Sequence, residues 1–260
     1  MTEQATLNKT EQRSYGDKVS TFRFSECDII IPFHGQYTKV QQVVQSILLF
    51  TKSNPYLLTL VDDASPNATF VETLRTQAPI RVLRNNEQKG FAGSLRVGFE
   101  NTIKPWVVFM HSDCQVMDHY WLQRLGETAL SLKSQNVRLI HARTDNPMTE
   151  NPYLPSTPHE KACGDKIVET DEPLPLICAM VHRDLFKNIG GFLKEYPYGY
   201  YEDVELYYRM KRYGMRQAVC GRSWVHHDGG ATLNEVIQKN KKAKLVIESN
   251  YDLCMKDIGR

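Results

Sequence analysis

Carboxylates that follow apolar runs, and a late pair of histidines, are the residues of this chain with the most chemistry in them. Leu57 to Val61 leads into Asp62 and Asp63, and Trp106 to Met110 leads into His111, Ser112 and Asp113. An α/β sheet delivers side chains to its ligand-bearing edge in this way, beyond the carboxyl ends of its strands. Farther along, Glu202 and Asp203 follow Tyr200-Tyr201 and open a helical pattern, while His226-His227 precede Asp228-Gly229-Gly230. A hard oxygen ligand such as Asp113 suits Mg²⁺ or Mn²⁺, whose shells are completed by substrate phosphates and water. Acids in the first turn of a helix are kept ionised by the macrodipole, ready to take a proton from a hydroxyl. The combination points to an enzyme acting on a metal-bound nucleotide ligand.

Each of these features also has a purely structural explanation. Asp62-Asp63 before Ala64-Ser65-Pro66 makes good turn chemistry, a lone acid after a strand often caps the next turn, and first-turn acids stabilise a helix whether or not they react. A histidine beside a glycine turn is more often structural than catalytic. Side chains alternate along a strand, so His111 and Asp113 fall on one side of an extended segment. By the same rule at most one of His226 and His227 reaches a site shared with Asp113. Two glycine motifs are excluded: Gly90-Phe91-Ala92-Gly93-Ser94 is not the dinucleotide fingerprint, and Phe99-Glu100 stands where a P-loop spaced from Gly93 and Gly98 needs Lys-Ser or Lys-Thr.

The elements that must position these groups are legible from hydrophobic pattern. Cys27 to Pro32 is a continuous apolar run, expected of a buried parallel strand. Val40 to Phe50 has helical spacing and is broken by Asn54-Pro55. Strands at 57–63, 80–83, 106–110 and 137–141 then alternate with helices near 70–76, 93–101 and 120–132. This βα alternation predicts a single α/β domain with a mostly parallel central sheet flanked by helices. Pro147, Pro152, Pro155 and Pro158 stud a stretch without period, a candidate acceptor-facing flap at 145–175. Beyond it the pattern predicts a strand over 176–182, a helix near 183–188 stopped by Gly190-Gly191, a helix over 202–213, and a short strand over 223–227. Residues 1–25 read as a flexible tail, and 233–260 as a lysine-bearing C-terminal helix.

Composition narrows the classes. With 260 residues, 32 basic and 30 acidic, the chain has a formal charge of +2, which argues against a nucleic-acid partner. Six scattered cysteines without a Cys-x-x-Cys pair indicate neither a zinc knuckle nor a disulfide framework, and they fit a cytoplasmic location. No run approaches the roughly 18 apolar residues of a membrane span, so any membrane association is peripheral.

Taken in order, these segments resemble the inverting GT-A glycosyltransferases of family 2, especially the bacterial rhamnosyltransferase-like branch. The likeness runs from Cys27 to Thr232. It is carried by Ile30-Ile31-Pro32, Val61-Asp62-Asp63-Ala64-Ser65, Asn85 to Ser94, His111-Ser112-Asp113, Cys178 to Arg183 leading to Gly190-Gly191-Phe192, Tyr200 to Leu206, and His227 to Thr232. Each is weak alone, and their order makes the resemblance specific.

The resemblance implies a GT-A (Rossmann-like) domain over 26–232, with a nucleotide-binding half about 26–141 and an acceptor-binding half about 142–232. It implies a nucleoside-diphosphate sugar donor and a glycan or glycoconjugate acceptor, as in polysaccharide biosynthesis. Pro32, Asp62 or Asp63 would lie near base and ribose, with Lys89, Gly90 and Ser112 on the same nucleotide side. Asp113 would hold Mn²⁺ or Mg²⁺, with His227 and His111 beside it. Asp203 would be the base and Glu202 would help position the acceptor. The chain departs from the family at His111, which replaces the first acid of an Asp-x-Asp triplet, and at Leu95-Arg96, where relatives often carry Asn. Counting from the two ends of the motif leaves His226 and His227 both open. The alternatives are a catalytically silent nucleotide-sugar-binding module of the same fold, and a sugar-nucleotidyltransferase.

Overall fold

The computed structural model describes residues 12–13, 27–51, 56–75, 79–145, 166–197, 199–229 and 241–259. Its strands are β1 (Gln12–Arg13), β2 (Cys27–Phe33), β3 (Leu57–Asp62), β4 (Ile80–Arg84), β5 (Trp106–Met110), β6 (Cys114–Val116), β7 (Val137–Thr144), β8 (Ile167–Thr170), β9 (Cys178–His182) and β10 (Arg216–His227). The helices are α1 (Tyr37–Phe50), α2 (Ala68–Arg75), α3 (Gly90–Glu100), α4 (Trp121–Leu132), α5 (Asp184–Asn188), α6 (Glu202–Arg212) and α7 (Lys241–Asp257). All strands join one sheet in the order β1-β8-β10-β7-β9-β5-β2-β3-β4, with β6 paired to the end of β10.

Strands β5, β2, β3 and β4 are mutually parallel, as the βα alternation requires. The other half of the sheet is mixed: β9 runs antiparallel between β5 and β7, and β10 is parallel to β7. The sheet is therefore mostly parallel in its first half, flanked by helices, within one α/β domain.

Why the strands read as unbroken apolar runs is clear from the core. Ile29 and Ile31 face one layer while Ile30 faces the other, and Val108 and Met110 alternate in the same way with Val107 and Phe109. Helices α1, α2 and α4 cover the first face, and α3, α5 and α6 cover the second. A fully buried Ile contributes about 1.5–3 kcal/mol relative to exposure, so both faces favour the same register. Gly98 lets α3 sit close on β2, since a Cβ there would lie 2.4 Å from Ile30 Cγ2.

Some elements differ from expectation. Strand β10 begins at Arg216 rather than near Ser223: Gln217 to Cys220 are buried without alternation, and an irregularity between Cys220 and Trp224 hides the continuity. Strands β6 and β8 are three and four residues long, too short to show a period. Within the stretch expected as a tail, Gln12 and Arg13 pair with Val168 and Ile167 as an edge strand. The four prolines at 147–158, and Gly230 to Thr232, lie outside the described residues. No described helix is long and apolar enough to cross a membrane.

Candidate active site

Strand β5 ends at Met110, and residues 111–113 form a turn rather than continuing the strand, with the Cys114 amide donating to the His111 carbonyl at 3.3 Å. The turn still sets His111 beside Asp113, Nδ1 to Oδ1 at 3.9 Å. From the far side of the sheet, the end of β10 pairs with β6 so that His227 stands opposite Cys114. This register brings His227 Nε2 to 3.2 Å from Asp113 Oδ1, and the ligand-capable atoms of His111, Asp113 and His227 lie within 4.8 Å of one another.

The trio fits a divalent cation by its chemistry. Both ring nitrogens of His227 are buried without an aligned hydrogen-bond partner among the described residues, so the contact with Asp113 is electrostatic. A buried imidazole whose N–H and lone pair both go unused is costly unless something else engages it. Burial first, and then His227, lower His111 to about 4, outweighing the pull of Asp113. The ring is thus neutral near neutral pH, the form that ligates. Burial pushes Asp113 upward, but His227 and His111 outweigh it and hold the carboxyl at about 2.

The rival histidine is engaged elsewhere. His226 Nδ1 lies 2.6 Å from Asp145 Oδ2 and its Nε2 3.4 Å from Asp228 Oδ1, while Asp228 also pairs with Lys39 at 2.8 Å. Asp145 further accepts the His227 backbone N–H at 2.9 Å. The structure therefore sets His227, not His226, against Asp113.

Glu202 and Asp203 open α6 as the sequence indicates, but the entry to that helix is unusual. Gly199, Tyr200 and Tyr201 all have left-handed backbone, with φ of 84°, 74° and 71°. For a tyrosine this conformation costs of order 1–3 kcal/mol and marks a site that the surroundings over-determine. Glu202 is buried, with Oε2 unpartnered among the described residues. Burial and then the neighbouring Asp203 push Glu202 up to about 8. Burial likewise pushes Asp203 up to about 6, against the amides of Val204 and Asp203 itself. Two carboxyls so close do not ionise independently.

Tyr200 lies in the left-handed stretch just before the pair. Its phenol is pushed up to about 12, first by burial and then by the charges of Glu202, Asp113 and Asp203 together. Nothing in the local sequence pattern distinguished Tyr200 from Tyr201 or gave it a role. Asp145 was missed although it too follows a strand, because its strand ends beside the proline-bearing stretch.

At the ends of the parallel strands, Pro32 is buried near the end of β2, one residue before the Phe33–Asp62 pairing. Asp62 is fully buried, ion-paired with Arg84 and accepting the Ser65 N–H at 2.9 Å. Asp63 accepts the backbone N–H groups of Lys89 and Gly90 at 2.7 and 2.8 Å, and Asn85 Nδ2 at 2.8 Å. Both carboxylates are thereby committed to the protein, Asp63 as a tertiary cap on α3. Gly90 has φ of 72°, which lets the chain turn into that cap. Ser112 is buried between the two cluster residues His111 and Asp113.

The sequence profile described as Glycosyl transferase family 2 matches residues 28–190. The chain belongs to that family. Among solved structures, this glycosyl transferase family 2 protein is similar to GalNAc-T7 crystallised with UDP, GalNAc and Mn²⁺, at 15% identity and TM-score 0.63, covering 81% of this chain and 44% of that one. It is similar also to the mannosyltransferase PcManGT from Pyrobaculum calidifontis in complex with GDP-Man and Mn²⁺, at 16% identity and TM-score 0.59, covering 78% and 56%. A third similarity is to S. aureus TarS 1-349 in complex with UDP-GlcNAc, at 15% identity and TM-score 0.58, covering 77% and 58%. At such identities the likeness is one of fold, the GT-A fold. The match spans roughly half the length of these chains. Curated proteins gave no match.

Proposed function

We propose that this glycosyl transferase family 2 protein is an inverting, divalent-cation-dependent enzyme that moves a sugar from a nucleoside-diphosphate donor to a hydroxyl of a glycan or glycoconjugate. The observation that carries the reading is the His111–Asp113–His227 trio at the sheet edge, whose ligand-capable atoms lie within 4.8 Å of one another. The UDP, GDP-Man and UDP-GlcNAc in the names of the similar structures support a nucleotide-sugar donor. The Mn²⁺ in two of those names supports the cation.

His111, Asp113 and His227 would hold that ion, which when bound offsets the charge of the departing diphosphate. Asp203 takes the proton of the acceptor hydroxyl as its oxygen bonds to the anomeric carbon. The bond from that carbon to the diphosphate oxygen breaks on the opposite face, which inverts the centre. Glu202, buried beside it, favours the arrangement in which the pair shares one proton, and so orients the acceptor. Pro32, Asp62, Asp63, Lys89, Gly90 and Ser112 form the nucleotide side. Asp62 and Asp63 act there by fixing backbone shape, since their carboxylates are already hydrogen-bonded. The motif order supports the rhamnosyltransferase-like branch, and the five cysteines among the described residues, all buried and free, support a reducing, cytoplasmic setting.

The test is release of nucleoside diphosphate from a panel of UDP-, dTDP- and GDP-sugars with Mn²⁺, together with an acceptor screen. Asp203→Asn is expected to bind donor and lose turnover. His111, standing where relatives carry an acid, favours one second reading, a silent binding module. Nucleotide binding without turnover across the screen selects it and overturns the enzyme reading.

A further inference from the structure

Helix α7 lies beyond the segment that matches the family, at 241–257. Asn250, in its middle, is fully buried, and its side-chain Nδ2 donates to the carbonyls of both Pro197 and Gly199 at 2.8 Å. A primary amide has two N–H donors, one for each of these carbonyls. One turn on, Cys254 Sγ reaches the Tyr201 carbonyl at 3.7 Å, and the Tyr251 and Tyr201 rings pack at 5.8 Å. Residues four apart share a helix face, so α7 presents one face to the stretch leading into Glu202.

We infer that Asn250 is a positioning residue for the Glu202–Asp203 pair, holding the preceding backbone on the left-handed path that delivers both acids to the site. The inference rests on the proposed function for the role of the acids, but its structural half stands alone. Left-handed tyrosines persist only where partners impose the conformation, and Tyr201 has no side-chain cap bond of its own at the start of α6. Asn250 and its neighbours on α7 supply the imposed geometry from outside the loop. A family domain ending before residue 241 would lack this support.

The experiment compares wild type with Asn250→Ala and with Asn250→Leu, which keeps the branched shape of the side chain and has no donor, all in the full chain. Hydrogen exchange read by mass spectrometry should show amides of 199–206 exchanging at least about tenfold faster in the variants, with the amides of β5 unchanged. Nucleoside diphosphate release from UDP-GlcNAc, GDP-mannose and dTDP-rhamnose with Mn²⁺ should fall about 100-fold in kcat, the scale of a 1 Å misplacement, with donor KM unchanged. In a Tyr201→Gly background, where φ above zero is free of strain, the effect of Asn250→Leu should shrink to less than about tenfold.

Unchanged exchange at 199–206 overturns the inference. Faster exchange with full kcat also overturns it, because the contact is then merely structural. If wild type turns over and Asp203→Asn does too, the base assignment falls while the exchange result still decides the clamp. Should wild type turn over none of the donors, the proposed function fails and not the clamp.

Discussion

The imidazole of His227 approaches the carboxylate of Asp113 to 3.2 Å, although one closes β10 and the other lies in the turn before β6. Neither nitrogen of that ring has an aligned partner among the described residues. A pair at such separation in the chain is held together only by sheet register, so its burial and its missing hydrogen bonds belong to the site rather than to local packing.

Cation-dependent binding of nucleotide follows from that pair. Asp113→Ala and His227→Ala are each expected to weaken Mn²⁺-dependent binding of UDP or GDP by at least the about 10–100-fold typical of losing an outer-shell partner. Calorimetry with and without Mn²⁺ reads it, and equal affinity in wild type and Asp113→Ala contradicts it.

Loss of the base should be felt in turnover alone. Asp203→Asn is expected to lower kcat by about 10²–10⁴, the usual contribution of a positioned base, with donor affinity retained. Steady-state kinetics beside calorimetry checks both halves.

The pH dependence has a definite sign. A base must be deprotonated, and Asp203 is pushed up to about 6 beside Glu202 at about 8. Activity should therefore fall on acidification through about pH 6, well above the range of an ordinary carboxylate, and the limb reports the pair rather than either acid. A kcat/KM profile that stays flat down to about pH 5 contradicts it.

The same raised values affect stability in the opposite direction. A carboxyl whose folded pKa exceeds its unfolded one favours the fold below the unfolded value, and that contribution is lost as pH rises through the folded value. Glu202→Gln should accordingly stabilise the protein near pH 8 by about 1–3 kcal/mol, the cost of a buried unsatisfied group, and do little near pH 4. Thermal unfolding at the two pH values checks this.

Asp63 offers a stability test at the start of α3. Asp63→Ala removes acceptors from two backbone N–H groups and from Asn85, and should destabilise by about 3 kcal/mol. Denaturant unfolding measures the loss.

Much of this was legible in the sequence, for identifiable reasons. Strands β2, β3 and β5 are buried on both faces, so their apolar runs read directly, and the acids after them mark the sheet edge. Asp113, Glu202 and Asp203 are legible as candidates because they follow or open strong elements, and the histidine pair because it closes one. The antiparallel insertion of β9 was not legible, because a buried strand of five residues carries no sign of its direction. Nor could pattern separate His226 from His227, since the choice depends on Asp145 and on the pairing of β10 with β6. The commitment of Asp62 to Arg84, and of Asp63 to Asn85 and the amides of Lys89 and Gly90, was hidden for a similar reason: these partners lie more than twenty residues away.

The pairing of β6 with the tip of β10 has a consequence for how the site tolerates change. Val225, His226 and His227 oppose Val116, Gln115 and Cys114 in strict antiparallel order, and a slip of one residue would turn each ring to the opposite face of the sheet. His226 would then be offered to Asp113, and Asp145 would lose both its imidazole and the amide it now holds. Asp145 thus works as a latch that decides which of two chemically identical rings faces the cleft.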